Sequence, residues 1–160
     1  MMLTPENSKT MKRLFTLTLA SVIIASAMAQ TNNSFGLNFN HVALAVKDLK
    51  RSVEFYTTAL KLQEITNRTA NPAIRWISLN GGKELHLITN TEPVTVPKTV
   101  HLALSASDLE GFQKHLTELK IPYGDWGGTP NAVTTRADGI KQIYFQDPDG
   151  YWIEINNAAQ

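Results

Sequence analysis

Three imidazoles and one carboxylate are the side chains of this sequence best suited to chemistry: His41, His86, His101 and Glu154. His41 and His101 open two similar stretches, HVALAV and HLALSA. His86 sits in ELHLI, and Glu154 lies between two isoleucines in WIEIN. Nitrogen and oxygen donors of this kind hold a divalent cation, and coordination offsets the cost of burying a carboxylate among apolar neighbours. The 160 residues include no cysteine, which excludes disulfides, thiolate zinc sites and a cysteine nucleophile. Any metal must rely on His, Asp or Glu. The competing reading is plain: each histidine a hydrogen-bonded strand residue, and Glu154 a carboxylate pointing at water from a half-exposed strand.

Strand parity favours the metal, because side chains alternate across a strand. Val42, Leu44 and Val46 share one face of the first strand, while His41, Ala43 and Ala45 share the other. Leu102 and Leu104 likewise oppose His101, Ala103 and Ser105. Leu85 and Leu87 oppose Glu84, His86 and Ile88, and Ile153 and Ile155 oppose Trp152, Glu154 and Asn156. Four donors thus lie opposite the apolar faces of four strands, with small residues beside two of them. The fourth histidine, His115, falls in a helix without a ligand-like partner and reads as surface.

The elements that must carry these residues are written twice. HVALAVKDLKRSVEFYTTAL aligns with HLALSASDLEGFQKHLTELK at an offset of about sixty residues. Each copy reads as a strand and then a helix, with Asp48 and Asp108 as N-caps. Leu49, Val53, Tyr56 and Leu60 follow at helical spacing, as do Leu109, Phe112, Leu116 and Leu119. Strands are expected at 63–68, 74–79 and 84–89 in the first copy, and at 121–124, 140–146 and 151–156 in the second. NTEPVTVPK reads as the linker between copies. The expected fold is α+β: two βαβββ modules forming a cupped mixed β-sheet, helices on its outer face. Module 1 covers 38–89, the linker 90–98 and module 2 99–157, within a single domain over 38–157.

Composition narrows the partners. Fifteen basic residues against fourteen acidic ones give a formal charge of +1, which points to neither nucleic acid nor an anionic membrane. MKRLFTLTLASVIIASAMAQ has a basic start, an apolar run from Leu14 to Ala27 and the small-x-small pattern Ala27-Met28-Ala29. It reads as a cleavable signal peptide over 1–29 with Met11 as its start, followed by an N-terminal tail over 30–37. A transmembrane anchor is the alternative, disfavoured by the shortness of the run. The expected location is periplasmic or secreted, with no membrane attachment after cleavage.

NHVALAVKDLKRSVEFYTTAL, the second HLALSASDL and the closing IYFQDPDGYWIEI resemble the vicinal oxygen chelate superfamily over roughly residues 38 to 157. That superfamily includes glyoxalase I, extradiol dioxygenases, fosfomycin-resistance enzymes and bleomycin-resistance proteins. The resemblance implies one divalent ion (zinc, nickel, iron(II), cobalt or manganese) held by His41, His86, His101 and Glu154 in a homodimer. It implies a glyoxalase-like lyase or isomerase acting on a small oxygen-chelating substrate, by proton transfer through a metal-stabilised enediolate, with Glu154 as the candidate base. The alternatives are an iron(II) extradiol-type dioxygenase using His41, His101 and Glu154, and a non-catalytic small-molecule binding protein. Trp76, Trp126, Tyr144 and Trp152 read as core or as cup lining. Arg75, Arg136 and Lys141 read as solvated surface or as contacts to an anionic substrate.

Overall fold

A computed structural model describes residues 35–159; the expected signal peptide over 1–29 and most of the expected tail over 30–37 lie outside the described residues. From Asn38 onward the chain forms one compact unit. Module 1 runs β1 (His41–Val46), α1 (Leu49–Thr58), β2 (Glu64–Ile65), β3 (Ile74–Ser78) and β4 (Glu84–Thr89). Module 2 repeats the order as β5 (His101–Ser105), α2 (Leu109–Glu118), β6 (Thr134–Thr135), β7 (Lys141–Gln146) and β8 (Trp152–Asn156). Each module is a four-stranded sheet, ordered β1-β4-β3-β2 and β5-β8-β7-β6. In each, the first strand pairs in parallel with the last, and the remaining pairs are antiparallel.

The helices begin where the sequence puts them. Asp48 accepts from the Arg51 amide (3.0 Å) and Asp108 from the Gly111 amide (2.8 Å), each satisfying a first-turn donor that lacks an intrahelical partner. Lys61 (φ 55°) and Lys120 (φ 56°) follow the helices in the left-handed region, which turns the chain away from each helix axis. Tyr56, Leu109 and Leu116 are buried as the helical spacing expects. Leu119 is not: it is the C-cap of α2 and is exposed.

Two strand boundaries differ from expectation. The second strand of module 1 shrinks from 63–68 to Glu64–Ile65. In module 2 the segment 121–124 supplies only isolated bridges from Gly124 to Pro130 and Tyr144, and β6 lies at Thr134–Thr135 instead. Pro122 and Gly124 explain the shift, since proline cannot donate to a ladder and glycine weakens one.

One apolar core joins the modules, with Val46, Tyr56, Leu85 and Leu87 from the first and Leu116, Phe145, Ile153 and Ile155 from the second. Phe145 sits near Phe55 of α1 (ring centroids 6.3 Å) and Phe112 of α2 (6.0 Å). The Asp147-Pro148-Asp149-Gly150-Tyr151 turn of module 2 is stitched to module 1 by four hydrogen bonds. Tyr56 Oη donates to Asp147 Oδ2 (2.8 Å), and Ser52 Oγ to Asp149 Oδ2 (2.9 Å). The Lys47 amide donates to Asp149 Oδ1 (2.9 Å), and the Ala45 amide to Tyr151 Oη (3.1 Å). Burial raises the Asp147 carboxyl above the ordinary carboxylate range, although the bonds from Tyr56, Tyr151 and Asp149 pull the other way. Burial and the Asp147 charge also raise Tyr56.

Candidate metal centre

Register makes the two modules equivalent at the donors. His86 lies opposite Ala43 in the β1–β4 pairing, and Glu154 lies opposite Ala103 in the β5–β8 pairing. Each module therefore presents one imidazole from its first strand and a second donor from its last, beside an exposed alanine.

In module 2 the donors meet. His101 Nε2 lies 3.3 Å from Glu154 Oε2, and the carboxylate is buried. His101 Nδ1 donates to the Lys98 carbonyl (2.9 Å), which in the neutral ring leaves Nε2 as a lone pair. That lone pair faces a carboxylate oxygen. Two acceptors at this distance repel each other unless a proton or a cation lies between them. Histidine ligands are commonly held this way, with the remote nitrogen fixed by a backbone carbonyl. Glu154 is held as firmly: Tyr144 Oη donates to Oε2 (2.6 Å) and Asn156 Nδ2 to Oε1 (2.8 Å). Gln142 Nε2 donates in turn to Tyr144 Oη, so the phenol's only proton stays on Glu154. Burial and the bond to Glu154 raise the Tyr144 pKa well above its ordinary value, against the opposing pull of Gln142.

Module 1 is arranged differently. Its rings stack, His41 on His86 (4.2 Å, 16°) and His86 on Trp76 (4.2 Å, 7°). His41 Nδ1 donates to Asn40 Oδ1 (2.7 Å), leaving Nε2 open. His86 Nε2 is engaged, donating to Glu84 Oε2 (2.9 Å). Glu84 Oε1 accepts from Arg68 Nη2 (2.7 Å). The bond from His86, helped by Arg68, holds the Glu84 carboxyl below its usual range.

The four expected donors come together two and two. Among the described residues, no three His, Asp or Glu side chains form a group that could hold a metal ion. The donor chemistry fits a divalent cation best at His41, His101 and Glu154, whose facing nitrogens and carboxylate donate to no other described residue; His86 would have to release Glu84 or use Nδ1. His115 donates from Nε2 to the Thr58 carbonyl (3.1 Å) and stands apart from both pairs. Arg75 pairs with Glu64, Arg136 with Asp138, and Lys141 is exposed.

Glu84 and Tyr144 are the functional partners that sequence reasoning underweighted. Glu84 shares the His86 face by parity and sits two residues away, a signal that was present. Tyr144 lies opposite Glu154 in the β7–β8 register, which no sequence spacing reveals. The aromatic residues line the donors: Trp126 and Tyr144 both meet the His101 ring edge-on. Lys98 Nζ donates to the carbonyls of Asp125 (2.7 Å) and Trp126 (2.9 Å), and burial lowers its pKa.

Two βαβββ units, each carrying an imidazole and a second nitrogen or oxygen donor at the same register, define a class of paired-module proteins. The chain belongs to the Glyoxalase/Bleomycin resistance protein/Dioxygenase superfamily, whose model matches residues 38–155. It is 27% identical over 129 residues to "Glyoxylase I 4" of Arabidopsis thaliana, covering 76% of this chain and 71% of that protein. It is 30% identical over 125 residues to "Metallothiol transferase FosB" of Staphylococcus epidermidis, covering 75% and 81%. Among solved structures, "Oxidase ChaP-H2" matches with a TM-score of 0.66 at 23% identity, covering 78% of this chain and 95% of that one. The lactoylglutathione lyase of Agrobacterium tumefaciens matches at 0.58 and 18%, covering 76% and 93%. At such identities the structural likeness speaks for the fold alone.

Proposed function

We propose that the protein is an exported, metal-dependent lyase or isomerase of the glyoxalase type, acting on a small substrate with two adjacent oxygens. One observation carries the reading: His101 Nε2 faces the Glu154 carboxylate at 3.3 Å, an arrangement suited to a cation between them. The complete ligand set is His41 and His86 of one protomer with His101 and Glu154 of its partner. A homodimer of this kind has two equivalent sites. Support for pairing across chains comes from the shared core, which joins the modules by their apolar faces within one chain. Export rests on the N-terminal sequence.

When bound, a divalent ion supplies a Lewis acid for negative charge developing on the chelating oxygens. Glu154 removes the proton beside the substrate carbonyl and returns it one carbon along. Tyr144 and Asn156 hold that carboxylate in place. In the metal-reconstituted protein acting on a thiol adduct of a 2-oxoaldehyde, Glu154→Gln is expected to lower kcat about 10²–10⁴-fold while some metal is retained. Full turnover by that variant removes Glu154 from the role.

The bond from His86 Nε2 to Glu84 favours a second reading, an iron(II) oxygenase using only His41, His101 and Glu154. Oxygen consumption with a catechol, lost on oxidising the iron, distinguishes it.

A further inference from the structure

We propose that Arg68 forms an anion subsite beside the module 1 donors, taking a carboxylate that the substrate carries away from its chelating oxygens. The inference rests on the chelate reading above. Four flat groups form a column. The Arg68 guanidinium lies 4.4 Å over the Trp76 ring, Trp76 lies on His86, and His86 lies on His41. Glu84 braces the column from the side, joining Arg68 Nη2 to His86 Nε2 through its two oxygens. The guanidinium is thereby fixed two stacking steps from a candidate ligand.

Arg68 nevertheless faces solvent. Its side chain is 64% exposed against 12% for Glu84. Nη2 gives one of its two protons to Glu84, while Nε and Nη1 bond to no described residue. Whichever Nη2 proton Glu84 takes, one edge of the planar fork keeps two donors, Nη2 with either Nε or Nη1, and these match a carboxylate through two parallel hydrogen bonds. Stacking and the ion pair have already ordered the side chain, which lowers the entropy lost on binding. An exposed ion pair alone would contribute little; the stack onto His86 is what ties this one to the donors.

The cation beside the other pair is turned toward the protein. The Lys98 ammonium gives two of its three protons to carbonyls and lies over the rings of Tyr144 (4.5 Å), Trp152 (4.7 Å) and Trp126 (5.4 Å). Arg68, Trp76, His86 and His41 share one module, so the subsite does not depend on which copy supplies the other donors.

Calorimetric titration of the metal-reconstituted protein with two probes tests this. 2-Hydroxyglutarate and 2-hydroxypentanoate share the chelating hydroxy acid and chain length and differ in the distal carboxylate. 2-Hydroxyglutarate is expected to bind about tenfold tighter, a preference that Arg68→Met abolishes and Arg68→Lys keeps only in part. Equal affinities in the unmutated protein, or a preference that persists in Arg68→Met, overturn the subsite and leave the chelate reading standing. Failure of both probes to bind overturns both.

Discussion

The two modules share one backbone plan and differ in how they hold their chemistry. Module 2 locks its donors in a buried network in which Tyr144 and Asn156 grip Glu154 and a backbone carbonyl fixes His101. Module 1 stacks its donors in a column, holds His41 through a side chain, and leaves His86 bonded to Glu84. The seams differ as well. The Asp147–Tyr151 turn of module 2 bonds to module 1 with four polar contacts. The corresponding turn of module 1, around Asn80 and Gly81, borders a cavity lined by Leu60, Leu104 and Phe112. A duplicated fold has thus kept its register and let its second layer of residues diverge. Module 2 fixes its donors by buried hydrogen bonds, and module 1 fixes its donors by stacking.

Phe145 offers the largest way to break this comparison, because its ring reaches both helices. Phe145→Ala is expected to cost about 3–5 kcal/mol, with urea melts showing a single transition. Two separate transitions would mean that the modules fold independently. At the donors, Glu154→Ala is expected to weaken metal binding by at least about 100-fold, beyond what loss of a supporting residue causes. His86→Ala should cost less, about tenfold, because its Nε2 is held by Glu84. Equal losses in competition titrations with a chelator would make the four ligands equivalent.

Much of this was legible in the residues. The repeat, both aspartate caps and the parity of every donor strand came from spacing alone, since they depend on local geometry. The brief β6 was not legible, because its pairing with β7 depends on tertiary position more than on propensity. Nor could the two-and-two grouping be read. Parity assigns a residue to a face of its sheet, but says nothing of which other face it confronts. The stitched turn belongs to the same class: Asp147 and Asp149 looked like turn residues, and their partners on Ser52 and Tyr56 lie over ninety residues away.

Smaller effects sharpen the contrast. His41 depends on the Asn40 side chain, whereas His101 depends on a carbonyl that substitution cannot remove. Asn40→Ala is therefore expected to weaken metal binding about tenfold, measured by the same chelator competition. The seam should show itself in pH. Asp147 has a raised folded pKa, so the folded chain binds that proton more tightly than the unfolded chain. Its contribution to stability is highest below the unfolded value near 4 and falls as pH rises through the folded one. Asp147→Asn should flatten that segment of the stability–pH curve, followed by urea melts at stepped pH.

The central claim is that each metal centre takes two donors from either copy of the chain, and mixing two disabled variants tests it most directly. One variant carries His41→Ala and His86→Ala; the other carries His101→Ala and Glu154→Ala. Separately, neither should bind metal tightly. Unfolded and refolded together, they should regain about one quarter of the normal number of tight sites, because about half the dimers are mixed and each of those has one intact site. No recovery of tight metal binding in a verified mixed dimer would contradict the claim.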